Sequence, residues 1–153
     1  MLYGDFNKVT IYKKDPIEQV KEFLDNGFTW LHVVDLNAAL NQSNNEETIL
    51  NILKTFKNKV KIQLGGGIRN VERIKFWINK GVDRIIIGTL AYKNPDLINL
   101  IGSQFSKKIG LAIDVRNKKI AINGWLEQSS ILALDFIKKF DNSAIDAIIY
   151  TDI

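Results

Sequence analysis

Residues Lys59 to Gly88 read KVKIQLGGGIRNVERIKFWINKGVDRIIIG. Lys59 to Leu64 reads as a strand, and Gly65-Gly66-Gly67 follows it as a tight turn. Asn70 then caps a helix that carries Ile74, Trp77 and Ile78 at helical spacing and stops at Gly81. Asp83 to Gly88 returns as a second strand, apolar on both faces through Ile85-Ile86-Ile87, as a strand of a covered parallel sheet is. Strand, helix and strand within about 30 residues make one βαβ unit.

The same alternation extends in both directions. Upstream, Asp15 and Pro16 open a helix with Glu18 in its first turn, and Gly27 ends it. A strand is predicted from Thr29 to Leu36 and a helix from Asn44 to Phe56. Downstream, Asn94-Pro95-Asp96 opens another capped helix, and Lys108 to Val115 is a strand. Lys119 to Ile122 is a short extra strand, Ser129 to Phe140 a helix, and Asp146 to Asp152 the last strand. Strict alternation gives an α/β fold with parallel strands under helices. The strand ends carry Asp35, the glycine triplet, Gly88-Thr89, Asp114 and Thr151 in succession. Such ends converge on one mouth in a (β/α)8 TIM barrel, which favours that architecture over a doubly wound sheet.

A full barrel takes roughly 200 residues or more, whereas this chain has 153. The expectation is a single incomplete barrel domain over 1–153, lacking the first strand and the last two βα units. The stretch from Trp30 to Leu36 resembles that from Ala147 to Ile153 four strands later, as half-barrel duplication would produce. An open parallel edge at the end of such a piece makes self-association plausible.

Composition excludes several classes of function. The absence of cysteine removes disulfides, thiol catalysis and thiolate-bound zinc, and the single histidine removes a poly-histidine metal site. The excess of 21 basic over 17 acidic residues is spread along the chain. It forms no basic stripe interleaved with aromatics, so nucleic acid is not an expected partner. The first residues are too polar for a signal peptide, and no apolar run is long enough to span a bilayer. A cytoplasmic protein that does not engage a membrane is expected.

Each candidate site residue has two readings. Gly65-Gly66-Gly67-Ile68-Arg69 between strand and helix suits a phosphate, with backbone N–H groups close to the anion and Arg69 beside it. The competing reading is a tight turn with a surface arginine. Gly88-Thr89 ends the next strand and could complete the same anion site. Asp114 shares a strand face with Gly110 and Ala112, which suits an inward carboxylate able to exchange a proton. It could equally cap a helix or pair with Arg116. Thr151 points inward with Ala147 and Ile149. Asp35 is placed on the face of Leu31 and Val33, pointing inward, which turns His32 toward the helix layer as a packed core residue. Trp125, in a loop after the Asp114 strand, would stack on a planar substrate ring or fold back on the barrel top.

Six segments then stand in a recognisable order: Leu31-His32-Val33-Val34-Asp35-Leu36, Gly65-Gly66-Gly67-Ile68-Arg69, Ile86-Ile87-Gly88-Thr89, Ala112-Ile113-Asp114-Val115-Arg116, Gly124-Trp125-Leu126-Glu127 and Ile149-Tyr150-Thr151-Asp152-Ile153. Over nearly its whole length the chain resembles the phosphoribosylformimino-aminoimidazole carboxamide ribotide isomerases of histidine biosynthesis. The Gly-Trp-Leu-Glu and Tyr-Thr-Asp-Ile segments favour that family over its sister cyclases. The resemblance implies an Amadori rearrangement, an aldose-to-ketose isomerisation of a bisphosphate ribotide, without metal or organic cofactor. It implies that Gly66, Gly67, Arg69, Gly88 and Thr89 hold one phosphate; Asp35, at its strand end, is a further candidate for the substrate site. Asp114 and Thr151 would line the reaction centre, with Trp125 closing over the substrate.

The family's base lies on an aspartate ending its first strand, and a further acid and the second phosphate site lie beyond Tyr-Thr-Asp-Ile. These have no counterpart here. The polypeptide alone is therefore expected to be inactive as an isomerase. The alternatives are a partial barrel that binds phosphate without catalysis, a subunit complemented by another chain, and a cyclase-like barrel.

Overall fold

The computed structural model describes residues 15–122, 127–140 and 144–153. Helix α1 (Pro16–Asp25) starts where Asp15 accepts from the Ile17 N–H, and strand β1 spans Trp30–Val34. A short helix α2 (Leu36–Ala39) precedes α3 (Glu46–Thr55) and strand β2 (Lys61–Gly65). Helix α4 (Val71–Asn79), capped by the Asn70 side chain, leads to strand β3 (Arg84–Ile87). The short helix α5 (Thr89–Lys93) and then α6 (Pro95–Gln104), capped by Asn94, lead to strand β4 (Ile109–Arg116). Strands β5 (Lys119–Ile122) and β6 (Glu127–Leu132), helix α7 (Ala133–Ile137) and strand β7 (Ala147–Asp152) complete the described elements.

Five strands run parallel in the order β1-β2-β3-β4-β7. They form an arc of a (β/α)8 barrel. Strand β7 pairs with β4 along Gly110 to Val115 on one edge. The antiparallel strand β5 pairs with Asp114 to Arg116 and therefore takes the other edge, beyond the end of β3. The alternation along β4 divides its residues between two environments. Leu111, Ile113 and Val115 are fully buried with Ile85, Ile87, Ile98 and Ile101. A second cluster seats α1 and α3 on β1 and β2 through Val20, Leu31, Ile52, Phe56 and Ile62.

Three expectations need correction. Leu31 and Val33 pack in the helix-side clusters, so the inner face of β1 carries Trp30, His32 and Val34, not Asp35. The strand ends at Val34, and Asp35 turns out of it to cap α2. The helix expected over Ser129 to Phe140 begins only at Ala133, because the residues before it pair with β5 as strand β6. The turns after β1 and β3 also contain α2 and α5, which the sequence reading did not anticipate.

Candidate functional site

At the carboxyl ends of the parallel strands lies a cavity of about 350 Å³. Ile86, Ala112 and Ile149 line its inner wall, and Gly65 to Arg69, Gly88 and Thr89 line its rim. Asp114 and Thr151 are register partners on the adjacent strands β4 and β7, and both line the cavity. A carboxylate and a hydroxyl are thus held side by side at the mouth. Among the described residues no ion pair joins Asp114 to Arg116, and Asp114 caps no helix.

The glycine turn is shaped mainly by its neighbours within the chain. Gly66 and Gly67 have φ of +92° and +68°, a region that side chains rarely enter. A Cβ on Gly66 would lie 2.3 Å from the Asp35 carbonyl oxygen, and one on Gly67 2.5 Å from Ala38 Cβ. The close approach of the Asp35–Ala38 segment thus accounts for glycine at both positions. Gly88 differs: a Cβ there would meet nothing nearer than 3.7 Å, so its missing side chain lowers the cavity wall. Arg69 donates from Nη2 to the Ala39 carbonyl at 2.9 Å, tying the end of α2 to the turn while still lining the cavity.

Asp35 is buried and its carboxylate is occupied within the protein. It accepts from the Ala38 N–H at 3.1 Å, the Asn45 N–H at 2.9 Å and Asn45 Nδ2 at 2.7 Å. It does not line the mouth cavity, so the expectation of an inward-pointing Asp35 is corrected to a loop-organising cap. Trp125 lies outside the described residues.

His32 is the residue the sequence reading misplaced. Its ring lines the cavity with solvent on one side, and Nδ1 lies 3.0 Å from Nε2 of Gln63. Desolvation of its embedded side holds its pKa below the ordinary 6.5. A signal did exist: the repeat pairs Trp30–Leu36 with Ala147–Ile153, which aligns His32 with the inward Ile149.

A larger hollow of about 850 Å³ lies at the opposite end of the strands, among Lys54, Lys57, Lys59, Lys61 and Lys80. Several of these sit near the carboxyl ends of α3 and α4, where cations complement exposed carbonyls.

An arc of parallel strands under helices, with convergent polar groups at its carboxyl-end mouth, defines a protein of the (β/α)-barrel class, a class whose ligand sites are built from strand-end loops. The sequence matches the family model described as "Histidine biosynthesis protein" over residues 1–153, and the chain belongs to that family. It is 45% identical to a Mesorhizobium japonicum protein over 99% of this chain and 61% of that one. It is 44% identical to a Chelativorans protein (98% and 61%) and 39% identical to one from Caulobacter vibrioides (100% and 63%). All three relatives carry the name 1-(5-phosphoribosyl)-5-((5-phosphoribosylamino)methylideneamino) imidazole-4-carboxamide isomerase. The chain therefore spans about three fifths of the length of these relatives.

Proposed function

We propose that this chain carries one phosphate site and part of the reaction centre of an aldose–ketose isomerase acting on a bisphosphate ribotide in histidine biosynthesis. The observation that carries the reading is the pairing of Asp114 with Thr151 across β4 and β7, on the wall of a cavity rimmed by glycines. In the proposed chemistry Asp114 is the general acid that protonates the ring oxygen as the aminoaldose opens. Thr151 holds the substrate oxygens beside it. A base then takes the proton from C2′ to give the enolamine, and protonation at C1′ with loss of the 2′-hydroxyl proton gives the aminoketose. Gly66, Gly67, Arg69, Gly88 and Thr89 hold one phosphate through backbone N–H groups and the guanidinium, and Trp125 closes over the substrate. Asp35 contributes indirectly, by fixing the loop against which Gly66 packs. The reaction as proposed calls for no metal or organic cofactor, and the location is cytoplasmic. Among the described residues no helix is long and apolar enough to cross a membrane.

The relatives' base comes, by resemblance, from a strand-end aspartate with no counterpart in these residues. A polypeptide of these 153 residues is accordingly proposed to form one incomplete barrel domain that does not complete the rearrangement by itself. The test is growth of a histidine auxotroph lacking this isomerase. One strain receives the 153 residues; another receives a chimera in which they replace the matching stretch of the Mesorhizobium japonicum relative. Growth with the chimera only supports both parts of the proposal. Growth with the 153 residues alone overturns the claim that they are insufficient, and growth with neither overturns the isomerase reading.

A further inference from the structure

A row of polar side chains crosses the inner face of the sheet at the floor of the mouth cavity. His32 on β1, Gln63 on β2 and Arg84 on β3 occupy successive register positions. Arg84 donates from Nη1 to Oε1 of Gln63 at 3.0 Å, and from Nε to Oδ2 of Asp146 at 2.8 Å, with Nη2 on the same carboxylate oxygen. Asp146 immediately precedes β7, so the arginine must pass over β4. It does so at Gly110, where a Cβ would lie 2.7 Å from Ile86 Cδ1 and 3.1 Å from Arg84 Cδ. Trp30 supports the guanidinium from below, with its ring centre 4.5 Å away.

The donors and acceptors in this row allow one arrangement. A guanidinium only donates, so the side of Gln63 that faces Arg84 is its carbonyl oxygen. The amide nitrogen, also only a donor, then faces Nδ1 of His32. Nδ1 must accept, so it carries no proton, and a neutral ring then holds its proton on Nε2. A doubly protonated ring would set donor against donor and break the row. We propose that Gln63 and Arg84 are positioning residues that lock His32 as a neutral imidazole protonated on Nε2, presenting an uncharged donor to an oxygen acceptor of a ligand in the mouth cavity. The charged groups around this ring are Arg84 and Asp146, which neutralise each other, Lys61 one inward position earlier on β2, and Asp114 and Arg69, which line the same cavity. Desolvation of the ring works in the same direction as the row.

His32 is the only histidine in the chain, so its ring nitrogens can be read by nitrogen-15 correlation spectra without assignment, in tag-free protein. Above neutral pH the expected pattern is a protonated Nε2 and a bare Nδ1. In Gln63→Glu a carboxylate would accept from both neighbours, so the proton should appear on Nδ1 and the ring should titrate at higher pH. A wild-type ring protonated on Nδ1, or showing the averaged pattern of free histidine, would overturn the proposal, as would a folded Gln63→Glu protein with an unchanged pattern. The wild-type spectrum decides the matter even where the variant does not fold. It is recorded without ligand, so its failure is distinct from failure of the isomerase reading; only the ligand acceptor rests on that reading.

Discussion

Asp114 and Thr151 are set by the period-two alternation of their strands, which is why their orientation was readable from sequence. Gly110 and Ala112 below the aspartate leave inner space, while Leu111, Ile113 and Val115 fill the outer core completely. The substitution Asp114→Asn keeps the shape and removes the titratable carboxyl group. In the chimera it should lower turnover roughly 10²–10⁴-fold with little change in thermal midpoint; turnover within a few-fold of the parent would remove Asp114 from the proposed role. His32 and Asp35 were misread for one reason. Alternation fixes only relative orientation, and a shift of one residue exchanges the faces. Treating Asp35 as part of the strand set the wrong origin, because it had already turned out to cap α2. The corrected His32 has a consequence for pH. Its folded pKa lies below 6.5 while the unfolded value is ordinary, so the unfolded chain binds more protons in the interval between them. Stability should thus fall as pH drops through 6.5 and level off below the folded pKa. The slope stays below the ceiling of about 1.4 kcal/mol per pH unit for one proton, reduced further by solvent on the cavity side of the ring. Urea unfolding of wild type and His32→Gln across that window is the check; identical curves would show that His32 does not contribute.

Among whole elements, the long amphipathic helices and the apolar strands were legible, and the short ones were not. Helices α2 and α5 have four and five residues, too few for a 3.6-residue period to register. Strand β6 was hidden because Ser129 to Phe140 carries enough apolar residues to suit a helix, yet its start is claimed by pairing with β5. Tertiary contacts override weak local preference there. The Asp35 cap illustrates how a short element is held. Asp35→Ala removes three hydrogen bonds from a buried site and should cost about 1–2 kcal/mol, seen as a lower urea midpoint. A change within error would mean that the Asn45 loop anchors itself. Helix α6 supplies an opposite case, in which propensity and packing disagree. Gly102 inside a helix should gain about 1 kcal/mol on substitution by alanine. A Cβ there, however, would lie 2.2 Å from the Ala144 carbonyl oxygen and 2.7 Å from its Cβ. Overpacking of this kind typically costs about 1–3 kcal/mol, so Gly102→Ala should be destabilising overall. A raised thermal midpoint would show that the segment before β7 yields at little cost.

At the scale of the whole molecule, the outer face of the sheet changes character between two adjacent strands. Leu111 and Ile113 on β4 are fully buried beneath helices. Their register partners on β7, Ile148 and Tyr150, are 44% and 55% exposed, and Leu134 on α7 is 72% exposed. Exposed apolar surface of this kind favours association, and full burial of each large side chain is worth about 1.5–3 kcal/mol. Strand β7 also pairs with β4 alone among the described strands, so backbone pairing between copies could add to the apolar contact. A polypeptide of these 153 residues should therefore sediment as a concentration-dependent mixture of monomer and larger species. The double substitution Ile148→Thr and Tyr150→Thr places β-branched residues suited to a strand at both positions while removing most of the exposed apolar area. It should shift the mixture toward monomer with the far-ultraviolet spectrum preserved. Persistent association of that variant would place the contact on backbone edges rather than on this face, and a wild-type polypeptide that stays monomeric throughout would show that neither drives association.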